Sequence, residues 1–514
     1  MEKITFFVTN RFGNGPEGTR NAVILTMDDW NDFSFYTLFG IKFKNETEDI
    51  ITLGAVRIAY YGQQKGISEK LLKPGDQFER LAENYFSLGT DDTYYTNVNE
   101  LGDEIRDLIL TGLNDIAFLE NIYERAIEEE VTINSLLRDA SLGTVTNQYR
   151  RIANGGSRLT NYSFSYHFPQ DRVKTNPSKI DFRVIAEHNP PTNIQIIIGR
   201  NGVGKSHLLN GMVDSILAAQ NSAENGGRFI FTDTNESESF SNLICVSFSA
   251  FDEFQFHNKQ SNSGIKYHFI GLRSLQRIKE ASGNVETSIN FADEFTSSLG
   301  LIISSSKKSR WKKVIGQLES DPIFKDENLK ELIDDYASED LKPIQNKFAK
   351  LSSGHKIILL TITRLVELLQ EKSLIFFDEP ETHLHPPLLS SFIRAMSELL
   401  TNRNAVCIMS THSPIVLQEV PNTCVFKLSR RGAFAKLENL EIETFGENIG
   451  VLTNDIFGLE VTDSGFYSVL KDLVSKNDTY ETALRRLNNQ LGVEGRAILR
   501  SLFFDKNRAN ETDS

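Results

Sequence analysis

Cysteine is scarce: three residues in 514, Cys245, Cys407 and Cys424. So few thiols, so widely scattered, exclude a disulfide framework and a cysteine-ligated zinc site. Each lies in an apolar stretch such as "NLICVSFSA" or "AVCIMS", where a free thiol acts as a small buried hydrophobe; a reducing, cytoplasmic setting is expected. Long apolar runs are missing too. None approaches the roughly 20 residues that span a bilayer, and "MEKITFFVTNRFG" has no apolar stretch long enough for a signal peptide, so no membrane partner is expected. Positive charge is in deficit, with 55 basic against 69 acidic residues and a net charge of −14. That balance argues against a surface coated in positive potential for nucleic acid. Histidine is sparse, at nine residues, which leaves little material for a nuclease centre, and no HNH-type pattern is present.

What remains is an ordinary globular composition, 39% hydrophobic and 24% charged, in a chain long enough for more than one domain. One local basic cluster stands out. "SSSKKSRWKK" places Lys307, Lys308, Arg310, Lys312 and Lys313 around Trp311, a combination able to touch phosphates and stack a base, or else a solvated helix start.

The chemistry is carried by two separated motifs. In "NIQIIIGRNGVGKSHLLNGMVDSIL" an apolar run, a glycine-rich turn and an amphipathic stretch follow one another, and Gly199, Gly204, Lys205 and Ser206 satisfy G-x-x-x-x-G-K-[ST]. Glycines, here including Gly202 after Asn201, let successive backbone N–H groups close around phosphate oxygens, and the following helix adds the positive end of its dipole. The spacing places Lys205 on the β- and γ-phosphates of ATP and the Ser206 hydroxyl on Mg²⁺. The second motif is "SLIFFDEPETHLHP". Leu374, Ile375, Phe376 and Phe377 read as a buried parallel strand that delivers Asp378 to its C-terminal edge, where α/β sheets place ligands. Asp378 is expected to hold Mg²⁺ and Glu379 to polarise the attacking water. His383 and His385 follow in "ETHLHP".

Two further segments order the set. "KLSSGHKIILLTITRLVELLQE" precedes the second motif and "AVCIMSTHSP" follows it. The arrangement resembles the ATP-binding-cassette ATPases, whose signature L-S-G-G-Q, D-E-P strand and switch histidine come in this order. Leu351, Ser352, Ser353, Gly354 and His355 occupy the signature, departing at the first glycine and at the glutamine, and His412 occupies the switch. The resemblance implies that Ser352 and Gly354 cap the γ-phosphate on a partner's P-loop, giving a head-to-tail homodimer closed by ATP, with His383 and His385 at the dimer interface rather than on a metal. The glutamine that such ATPases carry is indistinct: Gln255, Ser249 and Asp252 all stand near the place. The interval from Ser206 to Leu351 lacks the sustained heptads of a chromosome-structural ATPase.

The expected fold is α/β: an ABC-type P-loop ATPase head, a mixed sheet flanked by an antiparallel sheet, with helical insertions and a short helical C-terminal region. The expected division is 1–160 for N-terminal strands and a helical insertion, 161–445 for the core with a helical lobe at about 252–350, and 446–514 for C-terminal helices. The strand-like runs of residues 1–65 are expected to join "NYSFSYHF" and "IDFRVIAE" in the flanking sheet. The apolar stripe through Ile105, Leu108, Ile109, Ile116, Leu119 and Ile122 is expected to be core, with an exposed partner surface as the alternative.

Taken with "DDWNDFSFYTLFG" and "FGENIGVLTNDIFGLEV", the motifs resemble the PtuA ATPases of Septu and retron anti-phage systems. That family implies an HNH nuclease partner of the PtuB type and, in retrons, a reverse transcriptase with its DNA–RNA product. The chain would then hold and sense while the partner cuts. A RecF- or SMC-like repair ATPase acting directly on DNA, and an ATPase regulating a non-nuclease toxin, stay open as alternatives.

Overall fold

The computed structural model describes residues 3–10, 13–27, 35–65, 72–169, 179–217, 227–231, 240–248, 265–271, 291–303, 307–330, 333, 341–432, 434–458, 465–476 and 479–512. Three sheets organise them. The first contains β1 (Thr5–Thr9), β2 (Ala22–Met27), β3 (Leu38–Lys44), β4 (Ile50–Tyr60), β5 (Gln77–Phe78) and β6 (Tyr85–Gly89), in the order β5-β1-β2-β3-β4-β6. The second is a small antiparallel sheet of β7 (Tyr162–His167) and β8 (Lys179–Val184), which a third strand, β10 (Arg228–Phe231), completes on the β7 side. The third contains β9 (Ile194–Ile198), β11 (Asn242–Ser247), β12 (Lys266–Gly271), β13 (Leu374–Asp378), β14 (Val406–Thr411), β15 (Val425–Arg431) and β16 (Phe434–Asn439).

That third sheet has the order β12-β11-β13-β14-β9-β15-β16. Its first six strands run parallel and β16 turns back antiparallel on β15. The central strands are buried along their whole length, because helices or sheet cover both faces; this is why they read as continuous apolar runs rather than alternating ones. On one face Phe377, Ile375 and Met409 pack with the helices Ser353–Leu368 and Pro386–Asn402 and with the lobe helices. On the other, Phe376, Ile408 and Ile197 meet the helix Lys205–Leu217 and the small antiparallel sheet.

Residues 1–65 depart from expectation. Their strands form a sheet of their own rather than joining β7 and β8. The physical reason is that the following segment supplies their cover: Phe6, Val8, Val23, Leu25, Ile41 and Phe43 share one core with Tyr94, Tyr95, Ile109, Leu110, Ile116 and Tyr149. The stripe through Ile109 and Ile116 is thus core, with Ile105, Leu108 and Ile122 packed at its margin.

The lobe also differs. Lys266–Gly271 extends the main sheet as a strand parallel to β11, so residues 252–350 are not helical throughout. A Cβ on Gly271 would lie 1.8 Å from the Ser247 carbonyl oxygen; only glycine allows the two strand ends to approach so closely. The basic cluster is a correction as well. Trp311 is fully buried and its indole N–H donates to Thr363 Oγ1 at 2.9 Å, so the ring is unavailable to stack a base. Lys307 donates to the Glu367 carbonyl at 3.0 Å, and Lys313 pairs with Glu398.

The first sheet and its covering helices are tied to the main sheet by a buried charge cluster. Asp92, with no exposed surface, accepts from Arg158 Nε at 2.8 Å and Arg403 Nη1 at 2.6 Å, and Arg310 stands 4.0 Å away. Arg151 reaches Glu371, Tyr162 Oη donates to the Asn404 carbonyl at 2.9 Å, and Asn404 Nδ2 donates to the Thr160 carbonyl at 3.1 Å. Glu371, Arg403 and Asn404 precede β13 and β14, so this joint lies at the N-terminal edge of the sheet. Burial alone would raise the Asp92 pKa; Arg403 and Arg158 outweigh it and hold the carboxyl below its ordinary value.

The C-terminal region is helical. Ile449–Phe457 docks through Leu452 and Ile456 on the main core. Its last carbonyls are held by the core: Arg200 Nη2 donates to Phe457 O at 2.8 Å and Lys427 Nζ to Asp455 O at 2.7 Å. Beyond it, Leu470, Val474, Ala483, Leu499 and Phe503 make a small separate cluster. No helix of the described residues is long and apolar enough to cross a membrane.

Asp92→Asn leaves buried guanidinium groups without their counter-charge and is expected to cost about 3 kcal/mol of stability, measured by urea unfolding. The sign with pH follows from the lowered pKa: the contribution is complete above the unfolded carboxylate value and is lost as pH falls through the folded one. Stability differences between wild type and variant should therefore shrink in strongly acidic buffer; a variant as stable as wild type at neutral pH would contradict the account.

Candidate nucleotide site at the sheet edge

The site is assembled by register. Ile198 of β9 lies opposite Thr411 of β14, Ser410 lies opposite Asp378 of β13, and Asp378 opposite Ser247 of β11. The row Ser247–Asp378–Ser410–Ile197 and the next residues along each strand therefore bring the start of the P-loop, Glu379 and His412 to the same C-terminal edge as Asp378. β14 stands between the other two strands, so His412 emerges between the loop and the acidic pair.

The loop needs its glycines. A Cβ on Gly199 would sit 2.3 Å from the Leu428 carbonyl oxygen of β15. Gly202 and Gly204 have φ of +78° and +101°, a region glycine adopts freely. Asn201 and Gly202 are exposed at the tip. The helix begins at Lys205, with Ser206 partly exposed in its first turn. Lys205 is buried under the loop, its Nζ donating to the carbonyls of Gly199 at 3.1 Å and Arg200 at 3.2 Å. Burial pulls its pKa down, and the carboxylates of Glu379, Asp378 and Glu381 oppose that pull. A desolvated cation facing three carboxylates across a glycine-lined cradle fits a polyphosphate with its divalent ion.

Asp378 is buried and receives a hydrogen bond from Ser410 Oγ. Glu379 follows with φ of +47°, and its N–H donates to the Ser410 carbonyl at 3.0 Å. His383 is also left-handed, at +69°. For residues other than glycine this conformation costs energy and persists where the surroundings enforce it, often at functional sites. His412 Nδ1 is 3.6 Å from Glu379 Oε1.

Glu381 is the residue sequence reasoning missed. Its Oε1 accepts from the His412 N–H and from Thr411 Oγ1, each at 2.8 Å. Nδ1 of His412 is 3.0 Å from that same oxygen, at ion-pair distance without hydrogen-bond geometry. Glu381 thus fixes the end of β14 and the switch histidine. The available signal was a third carboxylate two positions beyond Glu379, across Pro380.

The signature segment lies against the same loop. Ser352 caps the helix Ser353–Leu368, its Oγ accepting from the His355 N–H at 3.5 Å and lying 2.7 Å from His355 Nδ1. His355 Nε2 is 3.1 Å from Asp321 Oδ1, a structural pairing. A Cβ on Gly354 would stand 2.7 Å from the His383 carbonyl oxygen, so "SSG" and "ETHLHP" touch. Ser352 and Ser353 are exposed, as are His383 and His385. Among the described residues no group of three or more His, Cys, Asp or Glu could hold a metal ion. Gln255, Ser249 and Asp252 lie outside the described residues.

Sheet order, P-loop and edge carboxylates define the class: an α/β P-loop ATPase head of the ABC and SMC kind. A family model described as "AAA domain, putative AbiEii toxin, Type IV TA system" matches residues 319–418, the stretch holding the signature, the Asp378 strand and the switch. Protein ea59 of Escherichia phage lambda is 37% identical over 530 residues, spanning 98% of this chain and 99% of that protein; the chain belongs to the ea59 family. Similar solved structures include an ATP-binding cassette of an ABC transporter in its ADP conformation (14% identity, 60% of this chain, 100% of that one, TM-score 0.31). The SMC head domain from Thermotoga maritima is another (11%, 55%, 100%, TM-score 0.28).

Glu381→Ala removes the acceptor of two hydrogen bonds at the β14 end and is expected to lower stability by about 2 kcal/mol, read as a fall in melting temperature. Glu381→Gln, which keeps an acceptor oxygen, should recover much of it. Equal melting of all three proteins would show that Glu381 does not hold the switch.

Proposed function

We propose that the chain binds ATP with Mg²⁺ at this edge and hydrolyses it. The observation that carries the reading is Lys205, buried beneath the P-loop with Asp378, Glu379 and Glu381 as its facing charges. The backbone from Gly199 through Asn201, Gly202 and Gly204 cradles the phosphates, and Lys205 neutralises the β- and γ-oxygens. Ser206 and Asp378 would hold Mg²⁺, which when bound supplies further neutralisation of phosphate charge. Glu379 accepts a proton from the attacking water, and His412, oriented by Glu381, faces the terminal phosphate.

The exposed Ser352 and Ser353 at a helix N-terminus support a head-to-tail homodimer in which Ser352 and Gly354 cap the partner's nucleotide. In this reading the ATPase controls a second protein, an HNH nuclease of the PtuB type in a Septu- or retron-like defence complex, with a reverse transcriptase and its DNA–RNA product in the retron form. The matched family's description names a toxin; a second reading keeps the same ATPase and makes the activity it controls that of a non-nuclease toxin. The burial of Trp311 weighs against a DNA-repair ATPase that would have used that cluster on DNA.

Lys205→Ala is expected to lose well over tenfold in ATP affinity, more than about 1.4 kcal/mol, by calorimetric titration. Glu379→Gln should keep nucleotide while hydrolysis falls about 100-fold, and should accumulate a dimer in ATP by light scattering. Undiminished binding in the first variant, or undiminished hydrolysis in the second, would refute the assignment of these residues.

A further inference from the structure

The far flank of the P-loop carries a cation that none of the motifs includes. β15 runs beside β9, on the opposite side from β14 and β13. Its alternate residues Phe426 and Leu428 are buried in the core that holds Val203, Leu208 and Leu209 of the P-loop segment. The next residue on that face is Arg430. Where its neighbours fill the core, Arg430 is exposed, at the point where the strand passes the mouth of the loop. Its Nη2 is 3.7 Å from where a Cβ on Gly204 would stand. Its guanidinium has no hydrogen-bond or ion-pair partner among the described residues. The backbone behind it is paired on the hairpin, opposite Ala435, so the charge is presented from a braced strand.

We propose that Arg430 is a nucleotide-binding residue that contacts the phosphates retained on the nucleoside. The inference rests on the ATP reading above. The acidic residues Asp378 and Glu379 approach the loop from the β13 and β14 side, so the phosphate to be cleaved lies on that side. A cation reaching over Gly204 from β15 meets the other part of the chain, the α- and β-phosphates common to ATP and ADP. Guanidinium suits this role, since it presents paired N–H groups to phosphate oxygens and stays charged at any physiological pH. The ligand class is nucleoside di- and triphosphates alike.

The test is calorimetric titration of ATP and ADP, each with Mg²⁺, in the Glu379→Gln background, so that ATP is not consumed. Arg430→Ala is expected to weaken both nucleotides by a similar factor of about ten, the order of one charge-assisted contact. Arg430→Lys should lose less, and melting temperatures without nucleotide should match. In the Glu379-containing protein the loss should fall on KM rather than kcat. If Lys205→Ala abolishes binding while Arg430→Ala binds both nucleotides as tightly as its parent, this inference fails and the ATP reading stands. A loss confined to ATP would also overturn it, by placing Arg430 on the terminal phosphate. If the parent protein binds neither nucleotide, the ATP reading fails and takes this inference with it.

Discussion

Parallel register across β9, β14 and β13 is the constraint on which everything else depends. Side chains along a strand alternate between faces, so a slip of one residue would send Phe376 and Phe377 to each other's sides of the sheet. Both faces are buried, one under the signature and lobe helices and the other under the P-loop helix, and neither tolerates that exchange. The same register fixes how far each strand reaches. Because Asp378 lies opposite Ser410 and Ile198 opposite Thr411, the carboxylates, the switch histidine and the loop emerge within one residue of each other at the same edge. Chemistry at the edge is thus a by-product of core packing along the strands.

The two edges of the sheet divide the labour. At the C-terminal edge, polar groups are held ready for a ligand: Lys205 on loop carbonyls, Glu381 on the end of β14. At the N-terminal edge, charges are spent on each other, with Asp92 ringed by Arg158, Arg403 and Arg310. Separating these edges keeps the domain joint from competing electrostatically with the nucleotide cradle.

Where the residues obey local rules, the sequence was legible. The P-loop and the strand delivering Asp378 could be read from apolar runs, glycine placement and spacing, and both fall at the C-terminal edge; the signature helix start and the strand before His412 were legible through the resemblance to cassette ATPases. What was not legible depends on which surface covers which. Alternating residues in the first 65 positions mark strands but cannot name their partner sheet, and the cover came from the helices of residues 92–153. Trp311 amid lysines reads as a stacking platform until the helix turns that face inward, to Thr363. Lys266–Gly271 hid inside a lobe of helical character. Glu381 acts through a backbone N–H thirty-one residues on, a contact no periodicity encodes.

The grip of Arg200 on Phe457 is a mechanical link. Arg200 belongs to the P-loop, and the carbonyl it holds ends the helix Ile449–Phe457. The start of that helix is tied to the other side of the site: Gln418, just past the short helix Pro414–Leu417 that follows His412, donates to the Glu447 carbonyl at 2.5 Å and accepts from the Gly446 N–H at 3.0 Å. One rod is therefore pinned at one end to the phosphate loop and at the other to the segment behind the switch. If the gap between loop and switch changes, the rod must tilt or one pin must break. The helices that follow this rod in the chain pack on one another in a cluster of their own, so the rod itself is the part of the C-terminal region tied to both sides of the site.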